Sequence, residues 1–333
     1  MTPRWDDRAA TPVVGNLLLV AVVLVVAVVL VTLSFTFLER TGAPTAEAAF
    51  EYEQTPVGLR MVPTAIGTDV AVQLNGKQVA SFDADSAGES VLLPTAPGDR
   101  ITVVSRDEER SVLVSKRIDD RSEVGDFVAY YTFAEGSGST VVDRSGNDND
   151  GQRGGGGTTW ISDANGDGMD FDGSTGTHVD MGDLTVDGPA AVDELTIAIT
   201  YEHDGASGIR NLIEHQDSNF AWFMETPRGS SDRITFNIGY LTSESGEIAT
   251  SEIPTGETQV LVGTYDGNEM VLYRNGTRVG TETFQRDIAL GELILGADSN
   301  PSIQNLDGRI YEVRLYYAAF DDAEVEAITD AMS

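Results

Sequence analysis

The sequence predicts an all-β protein carried behind one N-terminal hydrophobic α-helix: a small β-sandwich module first, then a larger β-sandwich of jelly-roll type. Three observations carry this expectation. No charge occurs between Ala9 and Leu38, and roughly 20 apolar residues suffice for a helix to cross a bilayer. Beyond Asp69 the chain breaks into short apolar runs separated by Gly, Asn, Asp and Pro, the pattern of many short strands joined by tight turns. The 333 residues are 41% hydrophobic, enough for packed cores, and their number points to two domains behind the helix.

Charge narrows the functions open to the chain. Asp and Glu number 54 against 21 Lys and Arg, a formal net charge of −33. Such a surface repels phosphate backbones, so no nucleic-acid partner is expected. Lys77 and Lys116 are the only lysines. Abundant carboxylate with almost no lysine resembles the proteins of extreme halophiles, which implies a domain that stays folded only where salt screens its self-repulsion. There is no cysteine, so disulfides and thiolate metal sites are ruled out. The three histidines, His178, His203 and His215, form no paired ligand spacing, which argues against a zinc enzyme.

Residues 1–40 admit three readings. A cleaved secretory signal carries an apolar stretch of about 7–15 residues and then a small-residue site; Val13–Leu38 is far longer and ends in Phe35, Phe37 and Leu38. A plain membrane anchor fits, with Arg4 and Arg8 before the helix and Arg40 after it giving a weak preference for an inside N terminus. The third reading rests on Asp7-Arg8-Ala9-Ala10-Thr11-Pro12-Val13-Val14-Gly15. This segment resembles the start of archaeal type IV pilins, haloarchaeal ones above all, with Thr11 and Val14 where that family more often has Ser and Ile. The resemblance implies a leader over 1–9, processing at Arg8, Ala9 and Ala10 with the cut between the two alanines, and a mature helix over 10–40. Pro12 is acceptable in a first helical turn, where the amide it lacks has no partner. The implied partners are the membrane, crossed once, and other pilin subunits in a filament.

Thr41-Gly42-Ala43-Pro44-Thr45 stops the helix. A small β module is expected over 45–120. Val70, Val72 and Leu74 alternate onto one face, Asn75-Gly76 supplies a two-residue hairpin turn, and Lys77–Phe82 returns. Val91–Leu93, Ile101–Val104 and Ser111–Val114 add further strands. In pattern the module resembles the β portion that follows the helix in haloarchaeal pilin-type proteins, which implies a structural neck.

The larger domain is expected over 124–328. Val260–Tyr265, Glu269–Arg274 and Thr277–Phe284 read as a meander joined by Asp266-Gly267-Asn268 and Asn275-Gly276. In the middle strand Met270 and Leu272 face one way and Val271 and Tyr273 the other, so an inner strand between two sheets is expected. Asp322–Met332 reads as a closing helix. The blocks Tyr131–Thr140, Val142–Gly151, Met169–Ser174, Gly263–Gly267 with Leu272–Gly276, Leu293–Gly296 and Leu306–Tyr316 stand in an order that resembles the laminin-G-like, concanavalin A-like jelly roll.

Three kinds of chemistry are open to this domain. Hard cations want several oxygen ligands, and Asp163, Asn165 and Asp167 place such donors at alternate positions before Gly168. With Ser174 at the twelfth position this is no EF-hand, and a solvated turn is the alternative. The family resemblance implies a second group, Asp143, Asn147 and Asp172, as structural Ca2+ ligands, although Tyr311 replaces the Asp expected beside Glu312. Glycan binding needs an aromatic platform beside amides and carboxylates; His215, Asp217, Asn219 and Trp222 are the candidates, with Trp160 and Tyr240 beside them. The alternative for Trp222 and Phe223 is a strand core. Related glucanases on this fold use a Glu-x-Asp-x-x-Glu strand, and no such string occurs here. A retaining pair with carboxyls about 5–5.5 Å apart could still be assembled from distant strands. The sequence thus predicts no enzyme but a surface-exposed adhesion or recognition protein that binds a glycan or protein, held in the archaeal cell membrane or in an extracellular pilus. The competing function is an anchored or secreted carbohydrate-active enzyme.

Overall fold

The computed structural model describes residues 48–86, 88–107, 110–184, 191–204, 210–215, 222–226, 234–238, 246–250, 254–285, 288–289, 291–298 and 300–333. The hydrophobic run and the processing residues Arg8, Ala9 and Ala10 lie outside these. Among the described residues no helix is long and apolar enough to cross a membrane.

The first strands are β1 (Ala48–Thr55), β2 (Gly58–Ile66), β3 (Val70–Leu74), β4 (Lys77–Phe82), β5 (Val91–Leu93), β6 (Arg100–Ser105) and β7 (Val112–Arg117). They form a three-stranded sheet, β1-β2-β5, and a four-stranded sheet, β4-β3-β6-β7. Phe50, Met61, Val70, Val72, Leu93, Ile101 and Val103 fill the space between the two. Asn75 and Gly76 take φ of +52° and +87°, the left-handed pair that a tight primed turn demands and that Asn-Gly tolerates.

The second set comprises β8 (Phe127–Tyr131), β9 (Thr140–Val141), β10 (Gly151–Gly154), β11 (Thr158–Asp163), β12 (Gly166–Asp172), β13 (His178–Asp183), β14 (Ala191–Val192), β15 (Leu195–His203), β16 (Arg210–His215), β17 (Trp222–Thr226), β18 (Thr235–Ile238), β19 (Gly246–Ala249), β20 (Gln259–Tyr265), β21 (Glu269–Arg274), β22 (Thr277–Thr283), β23 (Ile288–Ala289), β24 (Glu292–Leu295) and β25 (Asp307–Tyr316), closed by helix α1 (Asp322–Met332). One sheet runs β19-β18-β17-β16-β24-β13-β10-β9 and the other β11-β12-β25-β15-β20-β21-β22, with β8 added beside β25. The two sheets face each other across a core that includes Phe133, Phe171, Ile199, Phe236, Leu261, Leu295 and Val313. This is an all-β sandwich of jelly-roll type.

The double-faced strand β21 departs from the expectation. Met270 and Leu272 do enter the sandwich core. Val271 and Tyr273 instead lie under α1 with Val260, Val262, Val325, Ile328 and Met332. The second apolar face is covered by a helix, not by another sheet. Asp321 caps α1 by accepting from the amides of Ala323 and Glu324, and Glu324 accepts from the Asp321 amide.

The same helix joins the two modules. Val57 and Ala96 of the small module pack into the apolar cluster of α1, Phe127, Tyr316 and Phe320. The Phe127 and Tyr316 rings stack 4.6 Å apart. Lys77 donates to the carbonyls of Asp330 at 2.5 Å and Ser333 at 2.8 Å, where the helix end leaves carbonyls unpaired. At Gly125, between the modules, an added Cβ would stand 2.8 Å from the Pro56 carbonyl oxygen, so only glycine allows that approach.

Candidate functional site

Beside the turn that joins the modules, the larger one holds an open cleft of about 580 Å³, within the size range of small-ligand sites. Its wall combines Arg121, Asp126, Asn147, Asp148, Asn149 and Tyr317 over a floor of Phe127, Val128 and Leu184. Strand pairing builds it. β8 runs antiparallel to β25 with Phe127 opposite Tyr316, so Asp126, just before β8, meets Tyr317, just after β25. The Tyr317 amide donates to the Asp126 carbonyl at 3.2 Å. Arg121 arrives from a single 3-10 turn, Arg121–Glu123, whose amide at Ser122 donates to the Asp120 carboxylate.

The loop after β9 forms the opposite wall and is held by Asp143. This carboxylate is 7% exposed. It accepts from the amides of Tyr130 and Ser145 at 2.9 Å, from the Ser145 hydroxyl at 2.6 Å and from the Asn149 amide at 3.1 Å. Asn147 donates its amide to the Phe127 carbonyl at 2.7 Å and the Val128 carbonyl at 3.1 Å. Asn149 donates to the Val128 carbonyl at 2.8 Å. Arg121 donates to the Gly146 carbonyl and, at 3.1 Å, to Asn147 Oδ1. Asp148, on the exposed crest, takes φ of +61°, a left-handed conformation that Asp adopts more readily than most residues.

The cleft is electrostatically mixed, with one guanidinium and the two carboxylates of Asp126 and Asp148. Asp126 is reachable by solvent, yet burial raises its carboxyl above the ordinary range. Among the described residues no group donates to that carboxylate. Tyr317 is half-buried, and burial likewise raises its phenol.

The expected metal residues fall in three separate places. Asp143 and Asn147 are the loop ties just described, with internal donors occupying the oxygens a cation would need. Asp163 and Asn165 lie at the β11–β12 hairpin, where Asp163 pairs with Gly166 and Ser162 with Asp167. That pairing leaves Asp163 at the end of β11, Asp167 on β12 and Asn165 in the two-residue turn between them. Asp163 accepts from the Asn165 amide at 2.8 Å and the Tyr311 hydroxyl at 3.2 Å. Asp172 accepts from the Ser174 amide at 2.9 Å and from the hydroxyls of Ser174 and Thr177 at 2.5 and 3.0 Å; the Ser174 bonds lower its carboxyl. Among the described residues no three acidic or histidine side chains converge as a metal group would.

Of the expected ligand residues, His215 and Trp222 stand opposite each other on neighbouring strands. His215 is 1% exposed at the end of β16, and a Cβ on Gly291 would lie 2.9 Å from its Nε2. Trp222 opens β17, opposite His215 on one side and Ile238 on the other. Asp217, Asn219 and Tyr240 lie outside the described residues. Trp160 donates to the Gly138 carbonyl at 3.1 Å with Arg153 over its ring at 5.5 Å. The cleft residues Arg121, Asp126 and Tyr317 carry no local motif; the pairing of β8 with β25 unites Asp126 and Tyr317, and Arg121 joins them through its bonds to Gly146 and Asn147.

Residues 172–326 match the family model of the concanavalin A-like lectin/glucanases superfamily, in its laminin G 3 form. Over these residues the chain is similar to concanavalin A-like jelly rolls. Among solved structures, the chain is similar to domain 4 of AbnA, a GH43 extracellular arabinanase from Geobacillus stearothermophilus, in complex with arabinotriose. That likeness has 20% identity and a TM-score of 0.51, and covers 61% of this chain and 98% of that one. It is also similar to the binding domain of Paraclostridial Mosquitocidal Protein 1, at 15% identity and TM-score 0.51 over 62% of this chain and 52% of that one. The binding domain of botulinum neurotoxin DC in complex with SialylT gives 12% identity and TM-score 0.50, over 62% and 52%. The chain spans about half the length of these toxin domains. At these identities the likeness is one of fold. No protein of curated function matches the chain.

Proposed function

We propose that this protein is a surface-held recognition module whose jelly-roll head binds a carbohydrate or a surface protein. The observation that carries the reading is the cleft in the head beside the inter-module joint: an aromatic residue beside amides, carboxylates and a guanidinium, in a cavity of ligand size. Structural neighbours solved with arabinotriose and with SialylT support a glycan in that role. A binding role is preferred to catalysis because Asp170, Glu202 and Asp204 gather around Arg309, at 3.2 and 3.8 Å for Asp170 and Asp204. Carboxylates held in an ion-pair network are poor candidates for general acid and base. The uncharged run from Ala9 to Leu38 supports display at a membrane, and the Arg8-Ala9-Ala10 entry supports pilin-type processing before it.

The full-length chain, incubated in concentrated KCl with a panel of polysaccharides, tests the reading. Retention without release of reducing ends is expected; turnover would replace it with the carbohydrate-active enzyme. Mass spectrometry of the mature N terminus tests the processing, which predicts a chain beginning at Ala10 and is overturned by an intact Met1.

A further inference from the structure

The recognition role proposed above leaves the ligand class open, and the cleft narrows it. Arg121 donates to the Gly146 carbonyl and to Asn147 Oδ1, both uncharged, so its positive charge stays in the cleft. Against it stand the carboxylates of Asp126 and Asp148, which leave the lining with an excess of one negative charge. An anionic sugar would meet that excess at contact range. Salt does not relieve that repulsion inside the cleft: the Debye length is about 3 Å at 1 M, so screening removes the long-range field of the acidic surface but not contacts within the site. A neutral sugar meets the opposite situation. Its hydroxyls are donors, and the Asp126 carboxylate is a solvent-accessible acceptor in the cleft with no donor among the described residues. Hydrogen bonds to a charged acceptor are the stronger kind. Tyr317 adds an apolar ring with a polar tip, suited to the alternating C–H and O–H surface of a sugar.

We propose that the cleft binds a neutral, hydroxyl-rich saccharide between Tyr317 and the loop bearing Asn147, Asp148 and Asn149, with Asp126 accepting its hydroxyls, and that Asp126 and Asp148 exclude acidic sugars. The joint between the modules takes part in this site, because Arg121 precedes the head and ties the loop that forms the wall.

Calorimetric titration of the full-length chain in concentrated KCl tests this, with arabinotriose, cellotriose and maltotriose as neutral probes and sialyllactose as the acidic one. At least one neutral probe binds, and sialyllactose binds tenfold or more weaker. Tyr317→Leu, which keeps apolar bulk and loses the ring, and Asp126→Ala each weaken the neutral probe by about tenfold. The double variant Asp126→Asn with Asp148→Asn narrows the gap between neutral and acidic probes. Asp126 and Asp148 are exposed, so their variants test the site even if Tyr317→Leu fails to fold. Neutral binding unchanged in Asp126→Ala and Tyr317→Leu overturns the location while leaving the recognition role intact. Preference for sialyllactose overturns the ligand class. Absence of binding to any glycan, here and on the polysaccharide panel, overturns both.

Discussion

Replacing Asp143 separates a hydrogen-bonded tie from a calcium ligand. The buried carboxylate accepts from three backbone amides and one hydroxyl: Tyr130 and Ser145 amides on Oδ1, the Ser145 hydroxyl and Asn149 amide on Oδ2. Asp143→Ala removes every acceptor. Each amide left short of a partner costs about 1–3 kcal/mol, with the lower end applying where water can enter. Three amides near the lower end give a loss of about 3–5 kcal/mol. For a domain of this size that is about 6–20 °C in Tm. Asp143→Asn keeps one carbonyl oxygen and turns an NH2 toward the other two donors, so about half the loss is expected. Thermal melting followed by circular dichroism in concentrated KCl, with added Ca2+ and with chelator, reads both variants. The hydrogen-bond account expects the wild type to be insensitive to chelator and both variants to lose stability whatever the Ca2+. A loss below about 1 kcal/mol in Asp143→Ala would refute the tie. A wild type that chelator lowers to the level of the variants would make Asp143 a calcium ligand instead.

Three further expectations follow from charge and burial. Lys77→Ala should raise hydrogen exchange in the last turn of α1 and cost no more than about 1 kcal/mol overall, because an exposed cation at a helix C terminus contributes about that much; unchanged exchange there would show that Lys77 does not hold the helix end. The Tyr52 phenol is pushed up to about 12, first by burial and then by Glu123. An unfolded tyrosine ionises near pH 10, so the stability tied to this group is intact below about pH 10 and is lost as pH rises toward 12. Tyr52→Phe should flatten that alkaline loss in pH-dependent melts; its hydroxyl has no hydrogen-bond partner among the described residues, so neutral-pH stability should hold or rise by up to about 1 kcal/mol. Finally, a net charge of −33 predicts cooperative melting in multimolar KCl and loss of structure on dialysis to low salt; cooperative folding without salt would contradict it.

What the sequence discloses tracks how local the signal is. The meander β20-β21-β22 is legible because Asn275-Gly276 demands left-handed backbone at both positions, and φ of +48° and +73° are found there. Helix α1 is legible from its Asp321–Glu324 cap and its 3.6-residue apolar spacing. The hairpin β1–β2 has a signal too: Ala48, Phe50 and Tyr52 turn inward while Ala49, Glu51 and Glu53 turn out, a strand pattern that a reading begun at Asp69 leaves aside. The cover over Val271 and Tyr273 is not legible, since two apolar faces on a strand are equally satisfied by a sheet or a helix. The cleft was least legible of all. Asp126 and Tyr317 meet only through the register of β8 on β25, and nothing within a window of either residue encodes that pairing. Asp143 and Asn147 stand out by residue type, but the same oxygens serve a cation or a set of amides. Only the positions of the donors distinguish the two roles.

The account turns on the cleft of Asp126 and Tyr317 in the head being where a sugar binds. Its most direct test is a crystal structure of the chain grown from concentrated salt with the neutral oligosaccharide that titration selects. Sugar density against Tyr317, with a hydroxyl donating to Asp126 and none displacing the Asp143 ties, is the expected result. Density on the β16–β17 face around Trp222, with the cleft holding solvent alone, would contradict it.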